Sequence, residues 1–144
     1  MSAAFSAIED AVVALLNTST AVSTNVETSE ARILAAQETD GVIVRVTDSQ
    51  MEPAAISGGQ LIVQTVLEIE LRKYGPVGQS AAKALDTLLA AVAGRIRASA
   101  TLSGLAMDTM LQSLSFETTP GEKPAHSCLM TWQVLHEINS QSLA

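Results

Sequence analysis

The sequence predicts one α+β domain, residues 1–144, in which an antiparallel sheet of four or slightly more strands carries two helices on one face. Two observations indicate this class. Two segments repeat apolar residues at intervals of three and four, as amphipathic helices do, and four segments show the alternation or β-branched composition of strands. The resulting order, α-β-β-α-β-β, lacks the strand and helix alternation of a parallel sheet. A chain of 144 residues is long enough to bury a core.

The two helices are expected near the N-terminus and in the middle of the chain. The first spans Ser2–Leu16, and its apolar stripe consists of Phe5, Ile8, Val12, Leu15 and Leu16. The second follows a glycine and proline break at residues 75–78 and ends near Arg97. Its stripe consists of Ala82, Leu85, Leu88, Leu89, Val92 and Ile96. Both stripes predict packing against the sheet, since a helix with one apolar face must bury that face.

Four strands are expected, and the clearest of them is Leu61–Lys73. Its apolar residues alternate with polar ones, so one face belongs to the core and the other becomes polar toward the strand's end. A β-branched run over Val42–Thr47 precedes it. The remaining two strands, Leu111–Thr118 and Ser127–Ile138, are joined by a turn at Pro120–Pro124.

The polar face of the sheet carries the residues predicted to line a subunit interface or a lumen. These are Arg45, Glu68, Glu70 and Arg72, which bring two charges of each sign onto one face. Such a face contacts either solvent or a neighbouring subunit, where paired opposite charges set orientation.

Two long loops, residues 18–40 and 49–60, are expected to separate these elements. Loops of this length are uncommon in compact domains and often bind partners. They place three apolar residues, Val26, Met51 and Ile56, in polar surroundings, which raises the expectation of a protein partner.

Composition narrows the class of partner and the location. The chain has 15 acidic and 8 basic residues and a net charge of −7, which repels a phosphate backbone and argues against specific nucleic-acid binding. Charged residues make up only 16%, so much of the surface is small or uncharged. One cysteine allows no intrachain disulfide and favours an intracellular origin. We expect no export leader, because the N-terminus lacks a basic region and carries Glu9 and Asp10 within its apolar pattern, and no membrane-spanning segment, because no apolar run is long enough.

The residue types that usually carry catalysis do not form a convincing site. His126, Cys128 and His136 cannot reach one metal ion from a single extended strand, and a second ligand pair is missing. Cys128 belongs to an apolar alternation, which favours a buried residue over a nucleophile. Glu68 and Glu70 share a face and resemble an acid and base pair, but solvated charge is the more economical interpretation. We therefore predict no enzyme activity, no metal and no cofactor.

The C-terminal third carries a family resemblance. The run Arg95–Asp108 contains the turn Thr101-Leu102-Ser103-Gly104-Leu105, and it is followed by a strand, a hairpin turn at Gly121-Glu122 and the aliphatic and aromatic strand Leu129–Ile138. This arrangement resembles the tail terminator proteins of long-tailed bacteriophages. Chain length, element order and the strand Gln64–Leu71 also fit, so the resemblance extends from about Gly41 to the C-terminus.

The resemblance implies a structural, non-catalytic role in the virion tail, with assembly in the host cytoplasm. Tail terminators form a homo-oligomeric ring, a hexamer, that caps the tail tube, stops its polymerisation and provides the surface for head attachment. The implied partners are the tail-tube protein and a head-completion or neck protein, and DNA can pass through the ring. The predicted tube- or head-contacting loop residues are Arg32, Met51, Ile56, Glu122 and Lys123.

Two other functions remain open at the level of sequence. The chain could be a different neck or tail-tube component, or a ferredoxin-like module that binds a small molecule. The second alternative requires a pocket with convergent polar groups.

Overall fold

The computed structural model of the protein describes residues 4–17, 26–27, 41–53, 60–75, 78–102, 104, 106–120 and 124–139. These residues form three helices and five strands. In chain order they are α1 (Ala4–Asn17), β1 (Val26–Glu27), β2 (Gly41–Pro53), β3 (Gln60–Tyr74), α2 (Ala81–Ala84), α3 (Asp86–Ala98), β4 (Asp108–Thr119) and β5 (Ala125–Asn139).

The strands make one sheet in the order β1-β2-β3-β5-β4. The four long strands are antiparallel to their neighbours, which confirms the predicted α+β class and its antiparallel four-stranded sheet. The two-residue strand β1 adds a short parallel pair with β2 at Val42 and Ile43.

The predicted loop 18–40 is partly wrong, because β1 lies inside it. Val26, expected to be an exposed loop residue, is only 8% exposed and belongs to the core. The residues around Val26 show no strand periodicity, so the pairing of β1 with β2 could not be predicted from them. This short strand forms because β2 supplies its hydrogen-bond partners. Residues 18–25 and 28–40 of this loop lie outside the described residues.

The predicted loop 49–60 is also too long. Strand β2 continues to Pro53, opposite Leu61 of β3, so both ends of that range belong to strands. Polar residues continue the strand here because the ladder with β3 supplies backbone hydrogen bonds whatever the local propensity. A bulge at Thr47 shifts the register between Val46 and Asp48 and changes which residues face the helices.

The predicted second helix is interrupted at Leu85. Ser80 begins α2 by accepting a hydrogen bond on its Oγ from the Lys83 N–H at 3.2 Å, and α3 then runs from Asp86 to Ala98. The Leu85 side chain is fully buried. Its burial keeps both helical segments on the same core.

The core lies between the sheet and the helices on one face. Helix α1 packs mainly on β2, whereas α2 and α3 pack toward β5 and β4. Among the largest buried side chains are Ile8, Leu16, Leu67, Ile69, Leu71, Leu85, Ile96, Met130 and Trp132. Arg95 of α3 donates from Nη1 to the Leu16 carbonyl at 2.9 Å, which holds the end of α1 against α3.

Candidate functional site: a charged sheet face, an uncovered strand edge and a cavity

The first feature is a compact ion-pair cluster on the sheet face opposite the helices. The register of β2 with β3 sets Arg45 directly opposite Glu68. The Arg45 Nε donates to Glu68 Oε1 at 3.2 Å, and Arg45 Nη2 lies 3.7 Å from Glu70 Oε1. Arg72 Nε donates to the other oxygen of Glu70. The structure therefore brings all four residues of the predicted interface set together.

These four side chains are between 16% and 30% exposed, and each has a partner of opposite charge within the same chain. Glu70 contacts both arginines, and Arg45 contacts both glutamates, so these two side chains link the cluster. Two arginines and two glutamates give the cluster no net charge, so it holds β2 and β3 together without presenting a strong field to a partner.

The second feature is the edge of the sheet formed by β4. This strand pairs with β5 on one side, and no described strand pairs with its other side. Strand β4 confirms the third predicted strand, Leu111–Thr118. Its residues 112–119 are all exposed. Leu114 and Phe116 lie opposite Met130 and Cys128 on the helix face, yet each remains 40% exposed.

The chain leaving α3 contacts the first part of β4, where Thr109 Oγ1 donates to the Ala100 carbonyl at 2.7 Å. A bulge at Gln112 then resets the strand so that Leu114 and Phe116, rather than Ser113 and Ser115, share a face with the core.

The β4 edge has little of the protection that natural edge strands carry. Strand β4 contains no lysine, arginine or interior proline, and after the bulge Glu117 is its only charged residue. Unprotected edges with exposed apolar side chains pair with other chains. Edge position could not be predicted from the sequence, because polar and apolar residues alternate here as they do in a half-buried strand.

The turn that carries much of the family resemblance lies directly before β4. Leu102 has a φ of 49° and Gly104 a φ of 92°, both in the left-handed region. The Thr101 carbonyl accepts hydrogen bonds from the N–H groups of Gly104 at 3.0 Å and Ala106 at 2.9 Å. A left-handed leucine is strained, and full burial of its side chain offsets that cost. The turn thus aims the chain from α3 into the edge strand.

The third feature is a cavity of about 310 Å³ between α1 and β2, at the opposite edge of the sheet from β4. Its lining includes Phe5, Ser6, Glu9, Val46, Asp48 and Ser49. Glu9 Oε2 accepts a hydrogen bond from the Val46 N–H at 2.8 Å, which fixes α1 over this part of β2.

A buried polar chain lies beneath that cavity. Ser49 Oγ is 3.2 Å from Thr65 Oγ1, which is 2.6 Å from His136 Nε2. The Phe5 ring meets the His136 ring edge to face, with centroids 5.9 Å apart. Burial lowers the pKa of His136 below its ordinary value of 6.5, so the neutral imidazole is the favoured form.

The other residues considered for chemistry are separated along β5. His126 and Cys128 lie near the first end of the strand, and His136 lies near the other. Burial raises the pKa of Cys128, partly offset by a backbone hydrogen bond from Ser115, and a protonated thiol is a poor nucleophile. His126 Nδ1 lies 3.0 Å from Thr118 Oγ1. The described residues contain no group of three or more potential metal ligands.

Most of the predicted tube- or head-contacting residues lie in parts of the chain that the structure does not describe. Arg32, Ile56, Glu122 and Lys123 lie outside the described residues. Met51 belongs to β2 rather than to a loop, which corrects its predicted placement, and its side chain is not described.

Comparison with known proteins adds no assignment. No known family model matches the sequence, and no curated protein is detectably similar to it. None of the described helices is long and apolar enough to cross a membrane.

Proposed function

We propose that this chain is the structural subunit of a homo-oligomeric ring, a hexamer, that ends a phage tail tube. The ring stops polymerisation of the tube and offers the surface to which the head attaches. The observation that carries the proposal is the edge of β4 that no described strand pairs with, where Leu114 and Phe116 are exposed in a strand without basic or proline residues.

An edge of this kind favours assembly over an isolated monomer. Exposed apolar side chains beside unpaired backbone groups bind another chain readily. A cyclic ring satisfies such an edge in every copy, because each copy uses one surface to bind the next copy and another to accept the previous one. The resemblance of the C-terminal third to tail terminators supports the choice of a tail ring among possible assemblies.

The proposed partners follow from the same role. One rim of the ring contacts the tail-tube protein, and the other contacts a head-completion or neck protein. The net charge of −7 suits a ring through which DNA passes without binding. The protein acts in the virion tail after assembly in the host cytoplasm, and it acts by stoichiometric binding without catalysis, metal or cofactor.

The test is deletion of the coding sequence from the phage genome that carries it, followed by electron microscopy of the particles. We expect headless tails of uncontrolled length, because tube polymerisation then has no stop. Supplying the wild-type protein from a plasmid should restore uniform tails joined to heads.

Other outcomes would redirect the proposal. Headless tails of normal length would limit the role to head joining. Absence of any tube would identify a tube component, and particles of normal appearance would show that the ring function is wrong.

A further inference from the structure

We infer that neighbouring copies of this chain join head to tail, with Phe116 on the β4 edge of one copy entering the cavity between α1 and β2 of the next and Leu114 packing beside it. This inference rests on the proposed ring and names the two surfaces that build it. The occupant of the cavity is a second copy of this chain.

Strand direction supports a head-to-tail join. The four long strands alternate in direction across the sheet, so β2 and β4 run opposite to each other. Strand β4 is an edge strand, whereas β2 is flanked by the two-residue β1 at Val42 and Ile43, before the part of β2 that lines the cavity. When a second copy is placed beside the first with its helices on the same side, its β2 is antiparallel to the first copy's β4. The two copies are then related head to tail, and such an arrangement can close into a ring.

The side chains at the two edges are complementary in position. Leu114 and Phe116 project on the helix face of β4, where each remains 40% exposed. The cavity opens on the helix face too, at the other edge, and Phe5 and Val46 supply apolar contact. Its volume of about 310 Å³ is at the lower end of the range for ligand sites and is sufficient for one aromatic side chain.

Charge favours β2 over a second β4 as the partner. Glu117 follows Phe116 on the opposite face of β4, and Arg45 precedes Val46 on that same face of β2. Insertion of Phe116 beside Val46 therefore brings Glu117 toward Arg45, whose side chain is 30% exposed and also pairs with Glu68 and Glu70 of its own chain. Pairing two copies of β4 would instead bring together strands whose only charged residues are acidic.

Side-chain insertion carries the join more than a continuous backbone ladder does. Glu9 occupies the N–H group of Val46, and the bulge at Thr47 interrupts the regular edge of β2. A ladder with β4 of another copy cannot run unbroken through this point. The buried apolar contact of Phe116 and Leu114 is the energetic centre of the interface.

The experiment uses two variants of the full chain, each with one damaged surface. Phe116→Asp removes the protruding aromatic, and Ser6→Trp fills the mouth of the cavity from an exposed position on α1. Sedimentation velocity gives the size of each species, and circular dichroism confirms that each variant is folded. Met107→Asp is the matched control, because Met107 is 54% exposed but lies outside both surfaces.

We expect rings from the wild type and from Met107→Asp, and self-association about 30-fold weaker or more in each damaged variant. An equimolar mixture of the two variants should form a one-to-one dimer and nothing larger. The Ser6→Trp copy still offers its β4 edge to the intact cavity of the Phe116→Asp copy, whereas no second joint can form.

Three results would overturn the inference. They are a wild type that remains monomeric up to about 1 mM, a mixture that stays monomeric, and a Ser6→Trp variant that dimerises alone through paired β4 edges. The tail function is judged separately. Rings with the expected joints that fail to restore tail length disprove only the tail role, and normal termination by Phe116→Asp disproves only the joint.

Discussion

His136 lies with 1% exposure near the end of the sheet covered by the start of α1. Its Nε2 pairs with the Thr65 hydroxyl at 2.6 Å, and the ring of Phe5 packs on its ring. If the imidazole were protonated, its charge would be buried next to a neutral hydroxyl partner. Burying such a charge in an apolar site costs roughly several kcal/mol. Protonation of His136 is therefore expected to destabilise the fold.

The first prediction concerns the pH dependence of stability. Burial lowers the pKa of His136 in the folded state. The unfolded chain therefore binds more protons than the folded chain as the pH falls below 6.5. The stabilisation is present above that pH and is lost as the pH falls through the folded pKa, at about 1.4 kcal/mol for each unit of pKa difference. Urea unfolding at several values between about pH 7.5 and 5.5 measures the loss.

His136→Gln provides the comparison, since its side chain keeps a hydrogen-bonding group but takes up no proton. The variant should be less stable than the wild type at neutral pH and should lose less free energy of unfolding on acidification. Parallel curves for the two proteins would show that His136 does not control the pH dependence.

At the scale of elements, the register of β2 with β3 decides which charges meet. The alternation of Leu61–Lys73 puts Glu68 and Glu70 on one strand face, and the antiparallel pairing then brings Arg45 to both. Cross-strand pairs of this kind contribute about 0.2–1 kcal/mol each. The cluster thereby stabilises the pairing of β2 with β3. Apart from β3, the elements that β2 contacts most are α1 and the short β1.

The second prediction separates the two glutamates. Glu70→Gln should lower the free energy of unfolding by about 1–2 kcal/mol, because it weakens contacts with two arginines. Glu68→Gln is the matched control and should cost about 0.5 kcal/mol, since Glu68 pairs with Arg45 at a more exposed position. Denaturant unfolding in low and high salt measures both losses. Equal losses of unfolding free energy in the two variants would show that the second arginine contact of Glu70 adds no stability.

At the scale of the whole molecule, the two edges and the overall charge define how the protein meets other molecules. One edge protrudes at β4 and the other is recessed between α1 and β2. The charge of −7 is spread over a chain with few basic residues, and the Arg45, Arg72 and Arg95 side chains already interact within the chain. A net negative charge of this size disfavours contact with phosphate backbones.

The third prediction follows from this charge distribution. The protein should not shift duplex DNA in a gel mobility assay at about 150 mM salt and protein concentrations up to about 100 µM, where basic proteins bind non-specifically. A basic DNA-binding protein of similar size serves as the positive control. A salt-sensitive shifted complex would contradict a ring whose lumen only lets DNA pass.

Sequence periodicity predicted the fold class and, of the candidate site, the charged face of the sheet. The alternation in Leu61–Lys73 predicted both the buried face and the polar face of β3, and the helical spacing in the first segment predicted α1. Glu68, Glu70 and Arg72 share one face of β3 because side-chain direction in a strand follows local parity, which the sequence alone determined. Arg45 joins them on that face through the pairing of β2 with β3.

Tertiary structure decided the features that depend on neighbours distant in the chain. Only pairing with β3 extends β2 to Pro53, and only pairing with β2 buries Val26 in β1. Only the strand order makes β4 an edge and leaves Leu114 and Phe116 uncovered, although their alternation is that of a core strand. Burial and hydrogen-bond pairing are set by what packs on a segment from elsewhere, and no local pattern of residues encodes that.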